Sequence, residues 1–303
     1  GQLNENVYWG IGFFTRFGLG LRYENYSDWV GSEMGRSTSL QTFSINPVIA
    51  VRVNEELSIA TGLEIMTLNF NQRKYFPMFN SGFEISGDSI AWGGNIGVFY
   101  RPLWADRWSA GLTYRTKVNH TVRGTVDSAM SAPWPQSGSA SAALSLPDSI
   151  SFGVAHRPTE RLIIEGNVTG TFWSSYQTLR IDYNDTSLPS LVEHKNYRDV
   201  IRLSLGVEYA LTPNWCIRAG YTFDQSPRNP AYMDTLVPAH DRNIYSLGLG
   251  FRRNNWAIDI AYVFYQSVSL TGTTDNLPIR GRLPISYTDG TGHAVALSFR
   301  HRL

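Results

Sequence analysis

The sequence predicts an all-β fold: a transmembrane antiparallel β-barrel with 12 strands in this chain. Three observations carry that reading. Apolar residues recur at every second position over most of the chain, which is the side-chain period of a strand with one apolar face. Tight turns alternate with long connections, the rhythm of a barrel with short periplasmic turns and longer extracellular loops. Tryptophans stand one or two residues after the tight turns, where a membrane interface would meet them. The composition agrees. Among 303 residues there are 9 Trp, 16 Tyr and 15 Phe, with a net charge of +1. No run of about 18 apolar residues occurs, so no transmembrane helix is expected. The mean hydropathy of −0.22 is what results when lumen-facing polar residues offset lipid-facing apolar ones.

The strands are expected at 7–23, 37–53, 56–72, 89–102, 107–120, 140–157, 160–183, 196–212, 214–224, 241–253, 255–270 and 287–302. Most exceed the ~9–11 residues that cross the hydrocarbon core. In the third strand, Leu57, Ile59, Leu63 and Ile65 alternate with Ser58, Ala60, Gly62 and Glu64. In the fifth, Trp108, Ala110, Leu112 and Tyr114 alternate with Ser109, Gly111, Thr113 and Arg115. In the seventh, Leu162, Ile164 and Val168 alternate with Glu165, Asn167 and Thr169. In the eighth, Leu203, Leu205, Val207, Tyr209 and Leu211 form one face, while Arg202, Ser204, Gly206 and Glu208 lie on the other. The ninth (Trp215, Ile217, Ala219, Tyr221, Phe223), the eleventh (Trp256, Ile258, Ile260, Tyr262, Phe264) and the twelfth (Val295, Leu297, Phe299) repeat the pattern. Tight turns are expected at Asn54-Glu55, Ala105-Asp106, Pro158-Thr159, Pro213-Asn214 and Asn254-Asn255. Long connections are expected at 23–36, 73–88, 121–139, 184–195, 225–241 and 271–286.

A soluble sandwich is the competing fold. It would have to bury or expose Arg202, Glu208, Arg218 and Asp259 on successive strands, whereas a closed barrel in lipid pairs every backbone group and sends these charges into the lumen. Trp108, Trp215 and Trp256 then form a periplasmic girdle. The whole of 1–303 reads as one barrel domain in the bacterial outer membrane. Cys216 is the single cysteine, so neither an internal disulfide nor a cysteine-based metal site is expected. The near-neutral charge gives no argument for nucleic acid. Gly1-Gln2-Leu3-Asn4-Glu5-Asn6 is polar and unlike a signal peptide, so the chain is either mature or lacks its N-terminus.

Several blocks resemble one family. Thr113-Tyr114-Arg115-Thr116-Lys117-Val118, the stretch L-P-D-S-I-S-F-G at 146–153, Y-R-D-V-I-R-L-S-L-G at 197–206, F-D-Q-S-P at 223–227 and D-R-N-I-Y-S-L-G-L-G at 241–250 are similar to FadL-like outer-membrane transporters of long-chain fatty acids and related hydrophobic compounds. The resemblance implies a 14-stranded barrel with an N-terminal plug. This chain begins at what resembles the turn before that family's third strand, so the plug and first two strands have no counterpart in it.

Three features follow from the resemblance. An inward kink that opens a lateral gap is expected in Thr15-Arg16-Phe17-Gly18-Leu19-Gly20, at Phe17, Gly18 and Gly20; a strand glycine permits a bulge. An extracellular apolar groove is expected at Phe76, Met78, Phe79, Phe83 and Ile85, joined by Trp134 from the next connection. Cations for a ligand carboxylate are expected among Arg73, Lys74, Lys195 and Arg198, with Glu193 standing where the family has a lysine.

The implied activity is passive uptake of a long-chain fatty acid or another hydrophobic small molecule: landing on the apolar groove, passage through a polar lumen and lateral exit near Gly18 into outer-membrane lipid. No cofactor is expected, and the barrel is expected to be a monomer. Two other classes are weighed against this. A FadL-like barrel that serves as a secretion or assembly partner would show a blocked lumen and loops shaped for a protein. An enzyme needs a nucleophile, a base and an orienting group within reach, and the six histidines (120, 156, 194, 240, 293 and 301) are scattered without such a pattern, so no enzymatic activity is expected.

Overall fold

The computed structural model describes residues 1–23, 30–128, 130, 136–184, 189–237, 240–275 and 281–301. Twelve spans follow one another in chain order, each paired antiparallel to the next. They are β1 (Val7–Phe14) with β2 (Gly18–Arg22), β3 (Ser37–Arg52), β4 (Leu57–Phe76), β5 (Ser81–Tyr100), β6 (Trp108–Arg115) with β7 (Val118–Ser128), and β8 (Gly138–Leu146) with β9 (Ser149–Thr159). The others are β10 (Leu162–Thr171) with β11 (Thr178–Tyr183), β12 (Leu191–His194) with β13 (Val200–Ala210), β14 (Trp215–Asp224), β15 (Arg242–Arg253), β16 (Trp256–Ser267) and β19 (Thr291–His301). A separate hairpin, β17 (Leu270–Thr273) and β18 (Pro284–Tyr287), stands between the last two. Among the described residues no ladder joins the first span to the last.

The short connections form as the turn residues require. The Asn54 carboxamide oxygen accepts from the backbone N–H groups of Glu56 and Leu57 at 2.9 and 2.8 Å, and Asn254 takes the left-handed φ of 52° that closes the β15–β16 hairpin. Just above these turns the expected aromatic girdle faces outward. Trp108 stacks on His156 with centroids 3.9 Å apart, Trp215 meets Phe251 at 4.7 Å, and Trp256 meets Phe299 at 4.9 Å.

The polarity of the sheet inverts along the strands. In the periplasmic half, Ile49, Ile59, Leu63, Trp92 and Ile96 face outward and are exposed, as lipid contact demands. The outward row Phe43, Thr67 and Ile90, joined by register, marks the end of that band. One step higher the outward row is Gln41, Asn69 and Asp88. There the apolar side chains turn inward: Met66 (0% exposed), Leu68, Phe83, Ile85, Val118 and Leu146 are buried in two contiguous clusters.

This corrects two expectations. The lumen is not uniformly polar; buried apolar side chains form part of the wall of its outer half. And 73–88 is not a loop: β4 and β5 pair without interruption up to Phe76 and Ser81, leaving a turn over Pro77–Phe79. Alternation continues through the inversion, but the face that is apolar changes, so a pattern read from the membrane half loses its strand there.

Candidate functional site

Inside the outer half of the sheet lies a cavity of about 720 Å³, within the ~300–1,000 Å³ usual for small-molecule sites. One side is mostly apolar, with Leu40, Phe70, Ile85, Val122, Leu144 and Ile181, and Thr38, Gln72 and Ser141 among them. The facing wall is polar and comes from β10 and β13–β15: Thr169, Arg202, Asp224 and Arg242. Between them stand four aromatic rings, all lining the cavity. Trp173 lies 5.8 Å from Phe17 and 5.7 Å from Tyr197, and Tyr176 and Tyr197 meet edge-on at 5.2 Å. The sequence read 160–183 as one strand. A single 3-10 turn at Trp173–Ser175 interrupts it and carries Trp173 and Tyr176 inward.

The first span breaks at the level where the outward polarity inverts. Pairing of β1 to β3 ends at Phe14↔Ser44, and that of β2 begins at Gly18↔Gln41. Three residues of the first span therefore face two of β3, a bulge that takes Thr15, Arg16 and Phe17 out of the ladder. Thr42 holds the break: its hydroxyl donates to the Phe17 carbonyl at 2.6 Å and accepts from the Phe17 N–H at 3.0 Å. Arg16 points inward and donates to the Glu64 carboxylate at 3.0 Å, the Thr116 carbonyl at 3.2 Å and the Pro147 carbonyl at 3.0 Å. Thr116 and Pro147 are themselves at the interruptions between β6 and β7 and between β8 and β9. One guanidinium thus ties three strand breaks to a wholly buried carboxylate.

Gly18 and Gly20 sit directly above the break. Neither has a positive φ, and an added Cβ would meet nothing closer than 3.8 Å at Gly18 and nothing within 4 Å at Gly20. Sterics do not demand glycine there; glycine leaves space. Gly18, Leu19, Gly20 and Leu40 line both the inner cavity and a second hollow of about 810 Å³, which also touches the outward Phe43, Thr67 and Ile90.

The roof of the cavity is ionic. Lys74 at the top of β4 donates to Glu193 at 2.5 Å, and Lys195 contacts both Glu193 and Asp234 at 2.9 Å. Arg228 contacts Asp234 at 3.1 Å, and the Tyr287 hydroxyl donates to the Asp234 carbonyl. Burial works against the Lys195 charge, but Asp234 and Glu193 outweigh it and hold the ammonium well above its ordinary value. Burial likewise opposes the Asp234 charge, and Lys195 and Arg228 outweigh it to hold the carboxyl well below the usual range. Four chain segments are thereby tied across the top.

Of the four cations singled out from sequence, the structure brings together Lys74 and Lys195, through Glu193; only Lys195 lines the cavity. Arg73 pairs with Glu84 at 3.0 Å on the outward face. Arg198 is exposed and donates to the Ser226 carbonyl at 3.3 Å. Of the expected groove, Phe83 and Ile85 are buried inside, Phe76 packs edge-on against Phe83 at 6.4 Å, and Met78 and Phe79 are exposed at the hairpin tip. Trp134 lies outside the described residues.

A second ionic cluster lies further toward the periplasmic turns, outside the cavity lining. Arg218 lies between Glu208 and Asp259, 2.6 Å from each, and Arg252 reaches Glu208 at 3.3 Å. Gly250 makes room for this pair: a Cβ there would stand 2.6 Å from the Asp259 carboxylate and 2.6 Å from the Cys216 sulfur.

Comparison with known proteins agrees with this architecture. Residues 1–303 match the family described as outer membrane protein transport protein (OMPP1/FadL/TodX). A long-chain fatty acid transport protein of Escherichia coli O6:H1 is 25% identical, over 89% of this chain and 69% of the relative. A Pseudomonas aeruginosa FadL homologue superposes with a TM-score of 0.85 at 22% identity, over 98% of this chain and 74% of the other. The Pseudomonas putida toluene transporter TodX superposes with a TM-score of 0.73 at 17% identity, over 99% and 80%. With an all-β sheet, an outward apolar band and a family match from the first residue to the last, the chain belongs to the OMPP1/FadL/TodX family of outer-membrane transport proteins.

Proposed function

We propose that the protein takes up long-chain fatty acids or similarly hydrophobic molecules across the outer membrane by passive diffusion. The observation that carries this is the cavity of about 720 Å³ with one mostly apolar and one polar side, placed above the lipid band and sharing Gly18, Leu19, Gly20 and Leu40 with a hollow on the lipid side. A hydrophobic molecule lands on the exposed Met78 and Phe79 at the β4–β5 tip. It moves in along the mostly apolar side of the cavity, gaining about 0.8 kcal/mol per buried methylene. It leaves sideways through the break at 15–17, at the height where the outer wall turns from polar to apolar. Similarity to a long-chain fatty acid transport protein and to a toluene transporter supports the substrate range. The polar side of the cavity favours an amphiphile with a polar head.

The test is uptake of radiolabelled palmitate and toluene by cells that lack their own FadL-like barrels, with and without this protein in the outer membrane. Accelerated uptake of either compound is expected. A properly inserted barrel that accelerates neither overturns the reading.

A further inference from the structure

We propose that a hollow on the outer face of the barrel, at the top of β2–β5, seats a phosphate group of a glycolipid of the outer leaflet. The inference concerns the lipid-facing wall and does not depend on the uptake reading. Cross-strand register sets Arg22, Ser37, Arg73, Glu84 and Asp127 in one row. That row is on the same face as the outward Phe43, Thr67 and Ile90, because an even number of residues separates the two rows on each strand. Arg22, Arg73, Glu84 and Asp127, with Arg36 from just before β3, line a hollow of about 490 Å³.

The charges of this hollow are unevenly committed. Glu84 is held by Arg73 at 3.0 Å and by the Asn71 carboxamide at 2.6 Å, and Asp127 accepts from the Ser137 hydroxyl at 3.1 Å. Lys74 also lines the hollow, but its ammonium is spent inward on Glu193. Arg22 and Arg36 are exposed, and among the described residues neither has an ion pair. Arg180, further round the wall, is the contrasting case: its guanidinium donates to Asp182 at 2.7 Å and to Ser190 at 3.1 Å. Three arginines thus meet two carboxylates, and two planar donor forks are left for an oxyanion, the group that guanidinium binds best.

Height selects the lipid. The arginine row stands six residues above the last apolar row on each strand, from Phe43 to Ser37, Thr67 to Arg73 and Ile90 to Glu84. At about 3.4 Å per residue and a tilt of about 40° that is roughly 15 Å above the lipid band. A phospholipid head-group layer is only about 5–8 Å deep, so its phosphate stops short of the hollow. The rows between are neutral: Ser39, Asn71, Ser86 and Thr125, then Gln41 and Asn69 with Asp88 opposite Arg123. Their hydroxyls and carboxamides suit the hydroxyls of a sugar, and the hollow of about 810 Å³ beside Gly18, Gly20 and Ser39 gives it room. Apolar band, polar rows and arginines follow one another as acyl chain, sugar and phosphate do in a phosphorylated glycolipid.

The test is a binding titration, read by native mass spectrometry of the barrel extracted in detergent. The probes are phosphorylated rough-type lipopolysaccharide, the same lipid dephosphorylated, and phosphatidylglycerol. The unmodified protein is expected to bind the phosphorylated glycolipid roughly tenfold or more tightly than the dephosphorylated one, the worth of a charge-assisted contact. In R22Q/R36Q that preference is expected to fall to about one. R180Q/R282Q, which removes the same charge from exposed positions elsewhere, is expected to keep it. Heat-modifiable gel mobility checks that each variant is folded. Retained preference in folded R22Q/R36Q overturns the proposal. So does an unmodified barrel that binds both glycolipid forms alike, a result that needs no variant. Displacement of the glycolipid by equimolar phosphatidylglycerol, or by millimolar inorganic phosphate, makes the hollow a general anion site and overturns the glycolipid assignment.

Discussion

Placing a phenylalanine at position 20 closes the proposed lateral route without disturbing the fold. A Cβ at Gly20 meets no atom within 4 Å, and alternation along β2 aims it outward, toward the hollow that touches Phe43 and Ile90. The substitution should therefore cost less than about 0.5 kcal/mol of stability, and an aromatic residue suits a strand better than glycine does. A hydrophobic substrate leaving by this path must push past the ring. The ring fills the hollow that the substrate must cross; squeezing past it costs about 1–3 kcal/mol if it resembles overpacking, and each 1.36 kcal/mol slows a step tenfold, so lateral release should slow roughly 5- to 150-fold. The assay is the initial rate at which fluorescent fatty acid loaded into reconstituted barrel reaches the surrounding bilayer. G20A serves as the control and equilibrium binding is measured in parallel. Binding should be unchanged in both variants. A folded Gly20→Phe barrel that releases at the unmodified rate refutes exit at this break.

Other consequences follow from the buried charges. Arg16→Met leaves Glu64 buried with only the Ser44 hydroxyl at 2.8 Å and Arg115 at 3.7 Å; removing one partner of such a pair costs about 3–5 kcal/mol. A lower urea midpoint is expected, with most of the loss recovered in R16M/E64Q; equal midpoints for R16M and the unmodified barrel would mean that this pair does not hold the break. The roof should be insensitive to pH across the neutral range. Asp234 has its folded pKa depressed, so its contribution is complete above the unfolded carboxylate range and is lost only as pH falls toward the folded value. Lys195 has its folded pKa raised, so its contribution is complete below the unfolded lysine value and is lost only as pH rises toward the folded one. Protease resistance of the extracellular segments should hold from about pH 5 to pH 9 and drop under stronger acid; a transition near pH 6 would contradict the assignment.

The membrane half of the barrel was legible in the sequence because lipid imposes one rule on every strand. Leu203, Leu205, Val207, Tyr209 and Leu211 face outward and Glu208 inward, as alternation predicts, and the tryptophan girdle lies at the expected level. The outer half was less legible because its outside is water and its inside is oil. There Met66, Leu68 and Phe83 keep the strand period but on the opposite face, so a pattern sought in the membrane sense ends too early, as it did at 72 and 89. The site residues that escaped notice share one cause. Trp173 and Tyr176 sit at a strand interruption announced only by Gly170 near the end of β10, and Arg228 and Asp234 lie on a long connection whose return over the barrel is a matter of tertiary contact. Charge alternation did reveal Arg202, Arg218 and Asp259 as lumen-facing. It could not reveal that Arg202 and Arg242 share a single carboxylate, because that requires the register of three strands.

The vertical order of these layers bears on why the route proposed here turns sideways. On the proposed route, a substrate in the cavity lays its tail against Leu40, Phe70 and Ile85. Below it lie Arg16 with Glu64, and then Arg218 between Glu208 and Asp259. A tail of about a dozen methylenes that descended among these charges would forfeit about 10 kcal/mol of apolar burial, and parting any one pair would add several more. Sideways, the tail passes the Gly18–Gly20 stretch and meets Phe43 and Ile90 at the edge of the lipid band, so its burial is exchanged for burial in lipid. The head group is the part that loses most on this path, because it must leave the polar side of the cavity. It leaves at the height of Gln41, Asn69 and Asp88, where the outer wall is polar and head groups of the bilayer stand. The break therefore lies at the one level where tail and head can both change surroundings without either being stranded in the wrong medium.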